Sequence, residues 1–395
     1  MQHFHDILHQ ERALNLLQRA LRSGRLHHAF LFDGPAGVGK ELAARSLAAR
    51  LLCDENREPD ADACGRCPAC VALDAATHPD FHLIDRGLHK QHPDRAIRAG
   101  KGLFLSVALI RHFLIEPSAS SPTLGRRRVF VIRDAERMNE EAQNALLKTL
   151  EEPPGRATLI LLTDSADRLL PTIRSRCQLI PFVRLPDDFV AARLAQNAGV
   201  SAADCARLAA LCDGRLGVAL RWQRAGVLSA LDAIADLLAD DSAQNPEAFA
   251  KRLVECAESV GARLNAEEKS DRSTAEGADD ASESDSDDDD AEPRAAGKLA
   301  TDVLRDALKL SFSLAAAVLR DAIFVQAGAP PRLPGLRQPE RIAAQHAEHR
   351  LLAGVQACAA AERMLDRNVA APLVCERLAL ELGEPTTSIL SALNA

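Results

Sequence analysis

An α/β domain built on a parallel sheet, continued by an all-α region, is the fold class that this 395-residue chain predicts. Three observations carry the expectation. Short apolar runs alternate with helix-patterned segments from Ala29 to Leu162, a glycine-rich loop joins the first run to a helix, and strand signals cease from about Leu185. With 47% hydrophobic residues, the chain is long enough to bury two or three separate cores.

The elements follow in order. Ala29–Asp33 is an apolar run too short for a helix, and it enters the loop Gly34-Pro35-Ala36-Gly37-Val38-Gly39-Lys40. Leu42, Ala43, Leu47, Ala48 and Leu51 then fall at helical spacing. Phe81–Ile84, Val129–Ile132 and Thr158–Leu162 read as further strands. Between the last two, Glu140–Glu151 carries Ala142, Ala145, Leu146 and Leu150 on one helical face. Asn139 stands as its N-cap, two glutamates fill its first turn, and Pro153-Pro154-Gly155 stops it. Strand and helix alternating in this way predict a parallel sheet covered on both faces. Beyond it, Asp188–Asn197, Ala202–Cys212 and Gly217–Arg224 read as short amphipathic helices, and Ala- and Leu-rich helix pattern fills the rest. A helix over Leu299–Val325 leads to a turn-rich stretch, Ala327–Gln338, and two or three helices finish the chain.

Charge is distributed unevenly. The whole chain is −8, with 48 basic and 56 acidic residues, but Glu267–Glu292 alone holds 13 acidic and 2 basic residues. Outside that tract 46 basic residues face 43 acidic ones. Low-complexity acid cannot bury enough apolar surface to offset chain entropy, so residues 265–298 are expected to be disordered. No apolar stretch of about 18 residues occurs, and Met1–Arg12 mixes both charges, so a membrane span and a signal peptide are not expected. The expectation is a soluble, cytoplasmic protein.

The loop fits GxxxxGK between a strand and a helix, where backbone N–H groups converge on phosphate oxygens and Lys40 reaches the terminal phosphates. Its eighth position departs from the pattern. A hydroxyl there ligates the Mg²⁺ that bridges the phosphates, whereas Glu41 brings a negative charge beside them. After the Val129–Ile132 run, an Asp that holds the metal is replaced by Arg133, with Asp134 following. The loop reads as one that keeps its shape without productive Mg·ATP chemistry; real nucleotide binding is the competing reading. Asp134 is read equally as a capping or surface residue.

Cys53, Cys64, Cys67 and Cys70 give C-x10-C-x2-C-x2-C with Gly65 and Pro68 at the turns, a spacing suited to tetrahedral Zn²⁺ in a closed structural site. Free thiols and an iron–sulfur cluster are the alternatives. His78 and His82 read as packing or surface histidines, and the other six cysteines as small core residues. Arg174-Ser175-Arg176-Cys177 follows the last strand; by itself it reads as a surface helix end.

Taken together, the loop, the cysteines, the run Asn144–Pro154 and Ser175-Arg176-Cys177 resemble the clamp-loader subunits of bacterial DNA polymerase III, within the AAA+ class. The resemblance covers about residues 1 to 225. The family's ATPase subunit, gamma/tau, keeps GKT or GKS and an Asp-Glu pair. With Gly39-Lys40-Glu41 and Arg133-Asp134, this chain is more similar to the delta-prime type, which does not hydrolyse ATP. The resemblance implies a RecA-like domain over 1–182 with a zinc module at 53–70, a three-helix lid over 183–225, and a helical collar over 226–395 that joins a heteropentameric ring. It implies Arg176 as an arginine finger acting in trans on ATP held by gamma/tau, and Thr163 at a sensor position. It also implies delta, the sliding beta clamp and primer-template DNA as partners. A second sensor arginine is missing, with Gly217 in its place. An active gamma/tau-type ATPase and a zinc-dependent nucleic-acid binding protein remain the alternative readings.

Overall fold

The computed structural model describes residues 3–383 apart from 25, 56–57, 59–61, 101, 103, 125, 198, 241–244, 276–300 and 368. Two compact units emerge, one formed by residues 1–186 with 214–217, the other by most of the remainder.

The first unit is organised by five parallel strands: β1 (Ala29–Asp33), β2 (Phe81–Ile84), β3 (Arg128–Ile132), β4 (Ala157–Thr163) and β5 (Gln178–Pro181), in the order β2-β3-β4-β1-β5. Alternation along each strand sends residues to two cores. Phe30, Phe32, Val129, Val131, Ile160 and Leu162 pack with residues of α1 (Glu11–Arg22), α2 (Lys40–Leu52) and α3 (Pro68–Asp74). Leu31, Phe130, Ile132, Leu159 and Leu161 pack with the helix Glu140–Glu151 and with Leu105, Leu109 and Leu114. Because both faces are covered, central strands need continuous apolar residues rather than alternation, and all seven residues of β4 are buried. Asn139 caps its helix as expected, its Oδ1 accepting from Ala142 N–H at 3.0 Å.

The second unit is helical. Asp187–Leu194, Ala202–Cys212 and Leu216–Arg224 are followed by Val227–Ala239, Pro246–Ala275, Thr301–Gln326, Pro339–Gln345, Glu348–Asp366 and Ala371–Gly383. Leu231, Ile234, Phe249, Leu308, Phe312 and Val318 lie at the centre of one apolar core. The backbone comes close at Gly354, where a Cβ would stand 2.9 Å from a Leu382 methyl and 3.0 Å from a Leu319 methyl. Buried Asp321 accepts the N–H groups of Arg332 (3.2 Å) and Leu333 (2.8 Å), which fixes the turn after its own helix.

One expectation is corrected here. Disorder was expected over 265–298, yet the helix Pro246–Ala275 carries through 265–275. No Gly or Pro interrupts 262–275, Ala, Glu and Lys in that stretch favour helix, and Glu267 is ion-paired with Arg224 at 3.2 Å. Residues 276–298 lie outside the described residues. Among the described residues, no helix is long and apolar enough to cross a membrane.

Candidate phosphate loop, cysteine cluster and arginine turn

The glycine-rich loop leaves the C-terminal end of β1. Gly34 cannot be any other residue without rearrangement: a Cβ would stand 2.3 Å from Phe182 O. Lys40 opens α2 and is 7% exposed. Its ammonium group has three donors, and all three find partners within the protein: Gly34 O, Pro35 O at 2.9 Å and Asp164 Oδ1 at 2.6 Å. Asp164, just past β4, is a member of the site that no sequence signal marked.

Glu41 and Arg133, the two departures from the motif, are partners of each other. Arg133 Nη2 lies 2.5 Å from Glu41 Oε1 and Nε donates to Oε2 at 2.8 Å, a two-pronged pair. Arg45 donates to the same carboxylate at 2.9 Å, and Arg133 Nη1 reaches Asp85 Oδ2 at 3.1 Å. A guanidinium therefore sits between two carboxylates at the mouth of the loop. Burial pushes the Glu41 carboxyl up, but the Arg133 hydrogen bonds and charge, with help from Arg45, outweigh it and hold it below the ordinary glutamate value. A depressed carboxyl contributes stability that is full above its unfolded pKa, about 4.3, and is lost as pH falls through the folded value. Glu41→Gln is expected to flatten this part of the acid limb in thermal melts between about pH 5 and pH 3. An unchanged acid limb would show that the pair contributes nothing. Asp134, in contrast, adopts a positive φ of 48° and lies 4.0 Å from Arg86, apart from the Glu41–Arg133 pair.

Thr163 is buried at the end of β4, and its hydroxyl donates to Glu136 Oε2 at 2.8 Å. Gly217 N–H donates to Gly37 O at 2.8 Å, and a Cβ at 217 would stand 3.0 Å from Gly37 Cα. Position 217 has no room for a long side chain without displacing the loop.

The four cysteines come together. Their sulfurs all lie within 4.8 Å of one another, with Cys53 to Cys67 at 4.0 Å and Cys64 to Cys70 at 3.9 Å. A tetrahedron of Zn–S bonds about 2.3 Å long has S···S edges of about 3.8 Å, so the donor set and its spacing fit such an ion. Backbone N–H groups of Cys64, Cys67 and Cys70 point at the preceding sulfurs at 3.3–3.4 Å. Burial opposes ionisation of Cys67, yet the N–H groups of Cys70 and Asp54 and the neighbouring thiols bring it down to about 7. Burial drives the Cys70 thiol the other way. Four adjacent thiols cannot all ionise alone; a cation at their centre removes that conflict. His78 and His82 are outside the cluster: His78 Nδ1 accepts from Asp80 N–H at 3.0 Å, and His82 stacks on Phe130. Burial lowers the pKa of both.

Arg176 lies in the turn after the short helix Pro171–Arg174. Its Nη2 pairs with Glu151 at 2.6 Å and Nη1 donates to Thr172 O at 3.0 Å. Buried Gln143 anchors the start of this turn, accepting from Leu170 N–H at 2.8 Å and donating to Met138 O at 3.1 Å. Burial pushes the neighbouring Cys177 thiol up to about 12, which keeps it inert.

Known proteins match part of the chain. The family described as DNA polymerase III, delta subunit, matches residues 9–186. A DNA polymerase III subunit delta' from Pseudomonas aeruginosa is 42% identical over 150 residues, 38% of this chain and 41% of that protein. The Bacillus subtilis subunit delta' is 35% identical over 188 residues, 48% of this chain and 52% of that protein. A subunit gamma/tau from Mycobacterium bovis is 34% identical over 195 residues, 49% of this chain and 31% of that protein. The chain thus spans about half or less of the length of these relatives. Over residues 9–186, the chain is therefore similar to a DNA polymerase III subunit family, and the relatives it resembles include subunits delta' and gamma/tau.

Proposed function

We propose that this chain is a non-hydrolysing delta-prime subunit of the DNA polymerase III clamp loader, acting in DNA replication in the cytoplasm. In this reading it has no ATPase activity of its own. The observation that carries the reading is the Glu41–Arg133 pair. Where hydrolysis needs a neutral hydroxyl and an acid around Mg²⁺, this pair sets a carboxylate already engaged by two arginines and a fixed cation that repels the metal. Lys40, with every donor used internally, gains little from a γ-phosphate. Gly34, Gly37, Gly39 and Lys40 then form a degenerate phosphate loop with a structural role.

Arg176 is the arginine finger in this account, presented to ATP bound by an adjacent gamma/tau subunit. Its partner Glu151 is half-exposed, and such surface pairs are worth about 0–1 kcal/mol, so releasing the guanidinium to a phosphate costs little. Cys53, Cys64, Cys67 and Cys70 hold structural Zn²⁺, and a zinc-fixed module needs no catalytic position. Residues 1–182 act as the RecA-like AAA+ domain, 183–225 as a helical lid and 226–395 as a collar. The collar joins gamma/tau and delta in a heteropentameric ring that loads the sliding beta clamp on primer-template DNA.

Reconstitution tests this reading. Mixed with the gamma/tau and delta subunits of its own organism, the chain is expected to enter a ring of defined stoichiometry that loads the clamp. A ring that forms and loads equally well without it would refute the assignment.

A further inference from the structure

At the N-terminal ends of the central strands, opposite the phosphate loop, a group of arginines has no anionic partner among the described residues. Strands β3 and β4 run in register with Arg128 beside Ala157, and Arg128 N–H donates to Arg156 O at 3.2 Å. Arg127 and Arg156 therefore enter the sheet on neighbouring strands at their N-terminal ends, whereas the phosphate loop leaves the C-terminal end of β1. Arg127 is half-buried, and its Nη1 donates to the buried Thr158 hydroxyl at 3.3 Å. That bond holds the guanidinium in place while using one of its five donors. Arg126 and Arg156 are exposed beside it.

Among the described residues no carboxylate pairs with Arg126, Arg127 or Arg156. Arg128 next door shows the contrast: it has buried Asp80 at 3.4 Å and the carbonyls of Pro117 and Ser121. Burial first, and then the Arg156 charge, press Arg127 below the ordinary arginine value. A partly desolvated cation beside a second cation is unfavourable unless an anion joins them. One side-chain carboxylate would neutralise one of the two. A phosphate group carries more charge and more acceptor oxygens, and it matches the planar donor forks of two guanidinium groups.

We propose that Arg127 and Arg156, with Arg126 at the rim, form a binding site for a phosphate group, independent of the phosphate loop. The group is either a free phosphate or part of a nucleic-acid backbone, and the two arms of one experiment separate these sources. In the first arm, thermal melts of the full chain compare inorganic phosphate with sodium chloride at equal ionic strength. Wild type and Lys40→Ala are both expected to show a saturable rise of about 3 °C at ten times Kd. Arg156→Gln, at an exposed position that leaves the core untouched, is expected to lose the rise, and Arg127→Lys/Arg156→Lys to keep only part of it.

In the second arm, anisotropy of a labelled single-stranded oligonucleotide is read for the same variants. A tenfold weaker affinity in Arg156→Gln assigns the site to a nucleic-acid backbone. Unchanged affinity, with the phosphate response lost, assigns it to a free phosphate. The proposal is overturned if chloride reproduces the rise, if Arg156→Gln retains it in full, or if Lys40→Ala abolishes it.

Discussion

In the proposed ring, replacing Arg176 by alanine is expected to lower DNA-stimulated ATP turnover at the adjacent gamma/tau site by about 10³-fold or more, the range for removal of an arginine finger. Ring assembly should be unchanged, because the side chain's own contacts, the Glu151 pair and the Thr172 carbonyl, are at the surface. Arg176→Lys should recover little, since an ammonium is a point charge and cannot present two parallel donors to phosphate oxygens. Glu151→Gln supplies the control. It removes the resting partner and leaves the finger, so turnover at that site is expected to hold at or above the wild-type rate. Steady-state hydrolysis by rings containing each variant measures all three. An Arg176→Ala ring with wild-type turnover would remove the finger from the account, and a fall in Glu151→Gln as large as in Arg176→Ala would show that the contact is needed for the geometry of the turn.

The second large effect concerns the cysteines. Cys67→Ser is expected to abolish stoichiometric zinc in freshly purified protein and to lower Tm by about 10 °C or more. Binding free energy at a structural thiolate site is folding free energy, and a domain of this size shifts by about 2–4 °C per kcal/mol. The loss should be largest in this variant because Cys67 caps α3 through its sulfur and sits in the core with Cys70 and Leu73. Metal analysis and melting curves, with chelator-treated wild type as the comparison, check it. Wild-type protein that contains no zinc and melts identically with chelator would contradict the assignment.

What could be read from the sequence follows the range over which each signal acts. Four strands were legible to within one residue at either end because they are apolar runs between turn residues. The fifth was not. Gln178–Pro181 has four residues, includes a glutamine and a proline and leaves Leu179 half-exposed, so an edge strand of this kind carries no continuous apolar signature. The cysteine cluster was legible because its four thiols fall within eighteen residues and the turns between them are local. Glu41 and Arg133 each stood out as an anomaly, but their pairing joins residues 92 apart and arises only when α2 and β3 are brought together in the fold. Asp164, Asp85 and Glu151 escaped notice for a plainer reason. Each is an ordinary acidic residue near a strand or helix end, and only the cation that finds it gives it a role.

The helical unit was legible in kind and less so in extent. Helix propensity carries the segment from Pro246 as far as Ala275, past the first glutamates of the acidic tract, because charge by itself does not break a helix whose neighbours are Ala, Glu and Lys. The same chemistry explains why the tract's start could not be set from composition.

The measurement that bears most directly on the central claim is ATP turnover by the isolated chain with Mg²⁺ present. A carboxylate–guanidinium pair at the metal position predicts a rate no higher than buffer alone, for wild type and for Lys40→Ala alike. Turnover above background in wild type, abolished by Lys40→Ala, would show instead that the loop is a working ATPase and that the Glu41–Arg133 pair opens to admit the metal.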